Sequence, residues 1–351
     1  MTTSGNDRFH EHFRMPDLPD RWTAAPPDGS DAGELTELLR RHEERARGWA
    51  GSTEEDLLVE VSGSGYATRE NVIIRDQDGV LRGWAGAHDR AAGRMLLVVV
   101  VDSRLDEALA DRVAGPLFGW GEEAARRVGS ERRLDVQQID SGAFADDQRQ
   151  RRWLTEAGFA HVRTWWQMSR PVTADEEELS ADVRPGVRIR LVGRQGTGMP
   201  DENDLRTVHD ILEESFADHF NSHEESFDEF VSRLREDPGH RWDHWWIAEV
   251  LGEDGTQPAG TLVGAVRDGD ERKPDGSYVE YLGVLQTARG RGVAKSLLST
   301  IIADAASCGR DRVGLEVDAD SPTGANGLYV SMGWKTSYVT ESWHRDVPVT
   351  D

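Results

Sequence analysis

The chain has 351 residues, and at about 150 residues per domain this length suggests two domains. Its 41 Lys and Arg against 65 Asp and Glu give a net charge of −24, which argues against a broad nucleic-acid surface and against docking on anionic lipid. The only cysteine, Cys308, excludes an intrachain disulfide and a multi-cysteine metal site. The longest wholly apolar run, 95–101, is far shorter than the roughly 20 residues of a membrane span, and the first thirty residues lack the apolar segment of a signal peptide. We therefore expect a soluble, cytoplasmic protein with no membrane or nucleic-acid partner.

The first 170 residues predict a mixed order of strands and helices. Strands are expected over 72–75, 79–88 and 94–101, then a helix over 113–128, a strand over 134–139, a helix over 146–157 and a strand over 162–168. The third strand is almost continuously apolar, as suits the centre of a sheet.

The second half repeats this order after a linker. Residues 171–186 (PVTADEEELSADVRPG) combine two prolines with an acidic run and show no apolar periodicity, which is typical of a linker. Beyond it, strands are expected over 187–192, 245–250, 259–267, 278–285, 313–318 and 335–340, with helices over 204–220, 293–306 and 324–332 and one that Ser226 could cap. Sheets covered by helices in this order predict an α/β or α+β fold.

The two halves also end alike. The segment WLTEAGF (153–159) matches LYVSMGW (328–334) in closing a helix with glycine before an aromatic residue. We interpret the chain as a divergent tandem repeat of one fold.

The most informative local segment joins the strand over 278–285 to the helix over 293–306. It contains Arg289, Gly290, Arg291, Gly292, Val293, Ala294 and Lys295. Glycines allow the backbone to approach a ligand closely, the first turn of a helix binds anions through its N–H groups, and the basic side chains suit a pyrophosphate. The dinucleotide pattern G-x-G-x-x-G fails because Lys295 stands where its third glycine is needed, and no Walker A pattern occurs.

These residues resemble a known family. Arg289-x-x-Gly292-x-Ala294 is similar to the R/Q-x-x-G-x-G/A signature of the GCN5-related N-acetyltransferases (GNAT superfamily), and LEVDADSPTGANGLYVSMGW (315–334) is similar to that family's fifth strand and following helix. The whole chain resembles tandem-domain members of the mycothiol synthase type. The resemblance rests on motifs over 245–334 and on architecture alone over the first 170 residues.

The resemblance implies an α/β (α+β) fold of two tandem GNAT-like domains, each a mixed central sheet flanked by helices. A degenerate domain would span 1–170, a linker 171–186 and the catalytic domain 187–351. It also implies that Leu282, Gly283 and Val284 contact the pantetheine arm of acetyl-CoA, and that residues 289–295 hold its pyrophosphate. One departure is Ser321, where many members carry asparagine.

The chemistry is attack of a neutral amine on a thioester carbonyl, which requires a base, an oxyanion donor and optionally an acid for the departing thiolate. Our candidate base is Glu280, with Glu316 and Asp318 as alternatives, and a side chain on the sheet surface is the competing interpretation. Our candidate acid is Tyr329, which could equally be a core residue. A backbone N–H near Val284 is the expected oxyanion donor.

Other residues are less informative. His219 and His223 have helical spacing but lack a completing ligand, so we predict no metal. The acidic residues Asp218, Glu224 and Glu225 could attract a cationic amine or be solvated, and Cys308 is expected to be buried.

The sequence therefore predicts an acetyl-CoA-dependent N-acetyltransferase that acts on a small-molecule primary amine by direct attack in a ternary complex, as a monomer or homodimer. The alternative is a non-catalytic acyl-CoA-binding or interaction protein with the same fold.

Overall fold

The computed structural model describes most of the chain in two compact units. The described residues are 15, 18–62, 68–90, 94–181, 184–194, 198–217, 225–236, 242–252, 255–267, 269, 274–320 and 324–349. The first unit comprises residues 1–165 and 338–351, and the second comprises residues 166–337.

Twelve strands and eight α helices lie in the described residues. In chain order they are β1 (Thr23–Ala25), α1 (Ala32–Arg47), α2 (Glu54–Val61), β2 (Arg69–Arg75), β3 (Leu81–Arg90), β4 (Arg94–Val101), α3 (Glu107–Glu131), β5 (Val136–Phe144), α4 (Gln148–Glu156), β6 (Ala160–Pro171), β7 (Val187–Leu191), α5 (Glu202–Phe216), α6 (Phe227–Glu236), β8 (Trp245–Gly252), β9 (Gly255–Arg267), β10 (Gly276–Val284), α7 (Val293–Ser307), β11 (Arg312–Asp318), α8 (Ala325–Ser331) and β12 (Lys335–Pro348). Short 3-10 helices span Gly29–Asp31, Ala174–Ala181 and Gln286–Ala288.

In the first unit the strand order is β1-β2-β3-β4-β5-β12. Neighbouring strands are antiparallel except β4 and β5, which run parallel. Two apolar clusters cover the sheet: α3 and α4 contribute to one, and α1 and α2 contribute to the other. The predicted elements of this half are present, and β1, α1 and α2 are additional to them.

In the second unit the order is β6-β11-β10-β9-β8-β7, with β10 and β11 parallel. The helix α7 packs on one face through Leu297, Leu298 and Ile301, while α5 and α6 cover the other face through residues such as Leu205 and Phe230. A mixed sheet between helices confirms the predicted fold class.

Local signals in the sequence explain how the helices begin. Ser226 caps α6 in a reciprocal arrangement, because its hydroxyl accepts from the Glu229 N–H at 3.3 Å and the Glu229 carboxylate accepts from the Ser226 N–H at 3.0 Å. The helix α7 instead begins at Gly292, which has a left-handed φ of 83° and provides no side-chain cap.

The division into units differs from the predicted domains 1–170 and 187–351. Residues 340–348 of β12 pair antiparallel with β5 over nine residues, from Thr340 opposite Phe144 to Pro348 opposite Val136, so the last strand belongs to the first unit. Strands so far apart in the sequence carry no local residue pattern that predicts their pairing. The predicted linker, 171–186, lies in the second unit and contains the 3-10 helix Ala174–Ala181.

Candidate active site

The central parallel strands of the second unit separate from one another. Strands β10 and β11 pair at Ser277 with Val313, Tyr278 with Gly314 and Val279 with Leu315. Both strands continue beyond these pairs, to Val284 and Asp318, without further pairing to each other in the described structure. Their carboxyl-terminal halves therefore border an opening in the sheet, which we call the strand opening.

The backbone of β10 has hydrogen-bonding groups free to serve this opening. The N–H of Leu285 donates to the carbonyl of Ala259 on β9 at 3.0 Å. Because successive residues of a strand direct their amide groups to opposite sides, Val284 and Leu282 direct theirs away from β9 and toward the opening. The carbonyl of Gly283 points toward β9 instead, since its oxygen lies 2.8 Å from the position of a Cβ built on Gly260 of that strand.

A glycine-containing turn, residues 289–295, follows the opening, and we call it the anion-binding turn after the pyrophosphate role that the sequence predicts for it. Gly290 and Gly292 have φ values of 77° and 83°, in the left-handed region where glycine is favoured. The first backbone N–H of α7 to reach an acceptor is that of Ser296, which donates to the Gly292 carbonyl at 3.0 Å. Among the described residues, the three preceding N–H groups, of residues 293–295, have no acceptor. They form the free first turn that favours a phosphate.

Basic side chains surround this turn. Arg289, Arg291 and Lys295 are exposed, and one Nη of Arg291 donates to the Leu251 carbonyl at 3.2 Å. Arg184 joins them, since its Cγ lies 2.6 Å from the position of a Cβ built on Gly292 and its N–H donates to the Ser296 hydroxyl at 3.3 Å. Sequence reasoning placed Arg184 in the linker, because nothing in its local pattern indicates that it packs beside Gly292.

Glu280 occupies a β-bulge beside the opening. The pairing of β10 with β9 shifts between Val279 and Tyr281, which leaves Glu280 as the extra residue. Its carboxylate lies 3.7 Å from the Arg267 guanidinium, which in turn lies 4.7 Å from the centroid of the Tyr278 ring. Tyr281 packs with the cluster under α5 and α6. The bulge therefore presents Glu280 on the sheet face that α5 and α6 cover.

The alternative carboxylates lie on the same face. Val313, Leu315 and Val317 of β11 pack with α7, so the alternation of the strand places Glu316 and Asp318 on the opposite face. Asp318 is buried, and its carboxylate accepts from the Asp320 N–H at 2.9 Å.

Glu316 has a distinctive environment. The residue keeps an exposed surface. Partial burial of its carboxyl by the surrounding protein nevertheless raises the pKa of that group, and a hydrogen bond from Gln167 opposes the rise. The structure thus brings all three candidate bases to one face without selecting among them.

Tyr329 lies on α8 in the α7 cluster, beyond the opposite face of the sheet. Its ring is buried and meets the ring of Trp334 edge-on at 6.1 Å. Burial raises the pKa of its phenol to about 12. This raised pKa keeps the phenol protonated at neutral pH, and among the described residues its hydroxyl makes no hydrogen bond.

The raised pKa predicts a loss of stability at high pH. The folded state holds the Tyr329 proton more tightly than the unfolded chain, whose tyrosine titrates near 10. The stability that the protonated phenol contributes is therefore present below pH 10 and is lost as the pH rises through about 12. The free energy of unfolding changes by about 2 to 3 kcal/mol over this range. Denaturant unfolding at pH 9 to 12 should show this loss of stability in the unmodified protein and not in Tyr329→Phe. Parallel pH curves for the two proteins would contradict the assignment.

Two parallel strands of the first unit, β4 and β5, also separate, and side chains of that unit fill the gap between them. Strands β4 and β5 pair only from Arg94 with Gln138 to Leu96 with Asp140. Beyond them, the Ser141 hydroxyl donates to the Leu97 carbonyl at 2.8 Å.

The side chain of Gln150 occupies the same separation. The Gln150 amide donates to the Val99 carbonyl at 3.2 Å, and both Ser141 and Gln150 are buried. The carbonyls of Leu97 and Val99 at this separation are thus already partnered by side chains of the first unit.

The turn before α3 is likewise filled by carboxylates. Asp102 is fully buried, and although burial opposes it, hydrogen bonds from Arg104 at 2.9 Å and Arg82 at 2.7 Å lower its pKa to about 2. Asp106 caps α3 by accepting from the Leu109 N–H at 2.9 Å. An incoming phosphate would meet the Asp106 carboxylate at the helix start, and the Arg82 and Arg104 charges nearby are already paired with Asp102.

Several other predictions have definite outcomes. Cys308 is exposed rather than buried, because it forms the C-cap beyond the last turn of α7. His219, His223, Asp218, Glu224 and Ser321 lie outside the described residues. Glu225 is described, and its carbonyl contacts Nε2 of His209 at 2.8 Å.

The described part of the chain contains no group of three or more His, Cys, Asp or Glu side chains placed to hold a metal ion. It also contains no helix with both the length and the apolar character needed to cross a membrane.

Comparisons with known proteins agree with this architecture. Residues 205–334 match the model of the family described as Acetyltransferase (GNAT) family. No curated protein gives a significant match to the sequence.

Solved structures match along most of the chain. A GCN5-related N-acetyltransferase from Sphaerobacter thermophilus is 23% identical, with 94% of this chain and 97% of that one covered at a TM-score of 0.73. A tandem GNAT protein from the clavulanic acid biosynthesis pathway is 13% identical, with 94% and 100% covered at 0.66. N-myristoyltransferase from Saccharomyces cerevisiae is 11% identical, with 98% and 84% covered at 0.57.

The structural likeness covers both units, and the family pattern covers the strand opening and the anion-binding turn. The chain therefore has a tandem GNAT fold, and residues 205–334 of its second unit match the model of the GNAT acetyltransferase family.

Proposed function

We propose that the protein is an N-acetyltransferase that moves the acetyl group of acetyl-CoA to the primary amine of a small molecule. The observation that supports this most strongly is the strand opening, which combines free backbone groups of β10 with an uncapped helix start and a carboxylate-bearing face. A thioester ligand with a diphosphate needs the first two features, and a cationic acceptor is attracted by the third.

Binding of the donor substrate would use the backbone and the basic side chains. The pyrophosphate of acetyl-CoA would accept hydrogen bonds from the N–H groups of residues 293–295, with Arg289, Arg291 and Lys295 supplying positive charge. Its pantetheine arm would lie along Leu282 and Val284. Gly283 would border the arm through its Cα, since its carbonyl faces β9.

The chemistry would then proceed by direct attack in a ternary complex. A carboxylate, for which we favour Glu280, accepts a proton from the amine while the nitrogen lone pair forms a bond to the thioester carbon. The Val284 N–H donates to the oxyanion of the tetrahedral intermediate. As the carbon–sulfur bond breaks, the electron pair leaves on sulfur and Tyr329 donates a proton to it. Glu280 and Tyr329 approach from opposite faces of the sheet, which suits entry of the amine on one side and departure of the thiol on the other.

The proposal is tested by measuring CoA release from acetyl-CoA across a panel of amines, including amino acids, aminoglycosides, polyamines, amino sugars and a peptide amino terminus. We expect at least one small primary amine to give turnover above hydrolysis, with an N-acetyl product detected by mass spectrometry. Tight acetyl-CoA binding with no turnover across the panel would instead support the non-catalytic binding protein.

We also expect one acetyl-CoA site per chain. The turn before α3 carries Asp102 and Asp106, whereas the corresponding turn before α7 has free N–H groups. Asp106 would repel a phosphate at the start of α3, and Arg82 and Arg104 are already paired with Asp102, so we expect no binding in the first unit. Isothermal titration of the full chain should give a stoichiometry of one, and Arg291→Glu should weaken that site. A second site insensitive to Arg291→Glu would contradict this prediction.

A further inference from the structure

A buried hydroxyl on α5 lies against the strand opening without a partner. The Oγ of Ser215 is buried, and it makes no hydrogen bond to any described residue. It lies 3.2 Å from the position of a Cβ built on Gly283, and Leu212 Cδ2 lies at the same distance from that position. The hydroxyl therefore contacts the middle of the β10 segment whose neighbours, Leu282 and Val284, direct their amide groups into the opening.

A partnerless buried hydroxyl requires an explanation. Burying a hydroxyl without a hydrogen bond destabilises a protein, and most such groups in folded proteins are paired. Alanine would fill the same helical position at no such cost. The position of Ser215 beside Gly283 indicates that its partner is a ligand in the opening.

The face on which Ser215 lies identifies the ligand. Ser215 belongs to α5, and α5 covers the face that carries Glu280, Glu316 and Asp318. By the proposed function, on which this inference rests, the amine enters from this face. By the same proposal, the acetyl-CoA arm would lie in the plane of the sheet and offer its carbonyl oxygen to the backbone.

We propose that the Ser215 hydroxyl accepts a hydrogen bond from the attacking nitrogen and thereby selects primary over secondary amines. When a neutral primary amine bonds to the thioester carbon, its nitrogen carries two hydrogens. One passes to the carboxylate base and the other donates to Ser215 Oγ. A secondary amine carries one hydrogen at that point, and after losing it to the base has none for Ser215.

The test compares Ser215→Ala with Thr207→Ala, which removes a hydroxyl on the same helix that is already bonded to the Asn203 carbonyl at 2.8 Å. For the best primary amine found in the panel, we expect Ser215→Ala to lower kcat/KM by about tenfold. The expected change for the matching N-methyl amine is less than twofold. Both variants should keep the acetyl-CoA dissociation constant of the unmodified protein.

Thermal unfolding separates this role from a structural one, because removing a partnerless hydroxyl should leave the Tm unchanged or raised. Unchanged kcat/KM in Ser215→Ala, or equal losses for the primary and N-methyl amines, would overturn the role of Ser215 alone. An absence of turnover in the unmodified protein would overturn the proposed function and this inference with it.

Discussion

Replacing Glu280 by Gln is expected to lower turnover by about 10²- to 10⁴-fold while leaving acetyl-CoA affinity unchanged. The substitution keeps the shape of the side chain in the β-bulge and removes the group that accepts the amine proton. It also removes the charge facing Arg267 at 3.7 Å, an exposed partner whose loss of pairing has a small effect on stability. Steady-state kinetics with a good acceptor, together with titration of acetyl-CoA, measure the two quantities separately.

The matched control is Glu202→Gln, which makes the same change at the exposed start of α5, where Glu202 pairs with Arg206 at 2.7 Å. This variant should retain full turnover. The pH profile adds a second readout, because a carboxylate base must be ionised to act. Activity should therefore rise through the pKa of the base on the acidic side, and Glu280→Gln should lose that rise.

Near-normal turnover in Glu280→Gln would place the base elsewhere. Glu316→Gln and Asp318→Asn, which change the other carboxylates of the same face, then become the decisive variants. They are distinguishable by pH, since burial raises the pKa of Glu316 and would move the acidic limb to higher pH if Glu316 were the base. Retained turnover in all three variants would contradict carboxylate base catalysis on this face.

Replacing Arg291 by Glu is expected to weaken CoA binding at least tenfold. Arg291 stands at the anion-binding turn beside the free N–H groups of residues 293–295, so the change replaces an attractive charge by a repulsive one. A charge-assisted hydrogen bond contributes roughly 1.5–3 kcal/mol, and each 1.4 kcal/mol corresponds to a factor of ten. Titration calorimetry with CoA and with dephospho-CoA measures the loss.

The control is Arg188→Glu, an identical charge reversal on β7, where the side chain is 66% exposed and lies 3.8 Å from Glu249. Its CoA dissociation constant should stay within about twofold of the unmodified value. Arg184→Glu should behave like Arg291→Glu, because Arg184 packs beside Gly292. Equal affinities for the Arg291→Glu and Arg188→Glu proteins would remove the phosphate role from this turn.

Elements with strong local signals were predictable. The strand Arg94–Val101, the helix Val293–Ser307 and the strand Arg312–Asp318 lie within a few residues of their predicted bounds, because apolar periodicity and continuity act over one element. The left-handed Gly290 and Gly292 follow from the same kind of signal, since a tight turn into a helix requires residues without a Cβ.

Features that depend on distant parts of the chain were not predictable in this way. The membership of β12 in the first unit depends on pairing between residues about 200 positions apart. The exposure of Cys308 depends on where α7 ends rather than on its apolar spacing.

The candidate site also combines features that local sequence predicts with features that only packing between distant elements creates. The sequence by itself determined the mixed helix-and-sheet class, the glycine-containing turn before α7 and the residue types available for acid and base chemistry, because each depends on neighbours in the chain. Only the tertiary structure decided that Glu280, Glu316 and Asp318 share a face, that Arg184 packs beside Gly292, and that Ser215 presents an unpaired hydroxyl beside Gly283. Those juxtapositions arise from strand register, a bulge and helix packing, which are set by interactions between elements far apart in sequence.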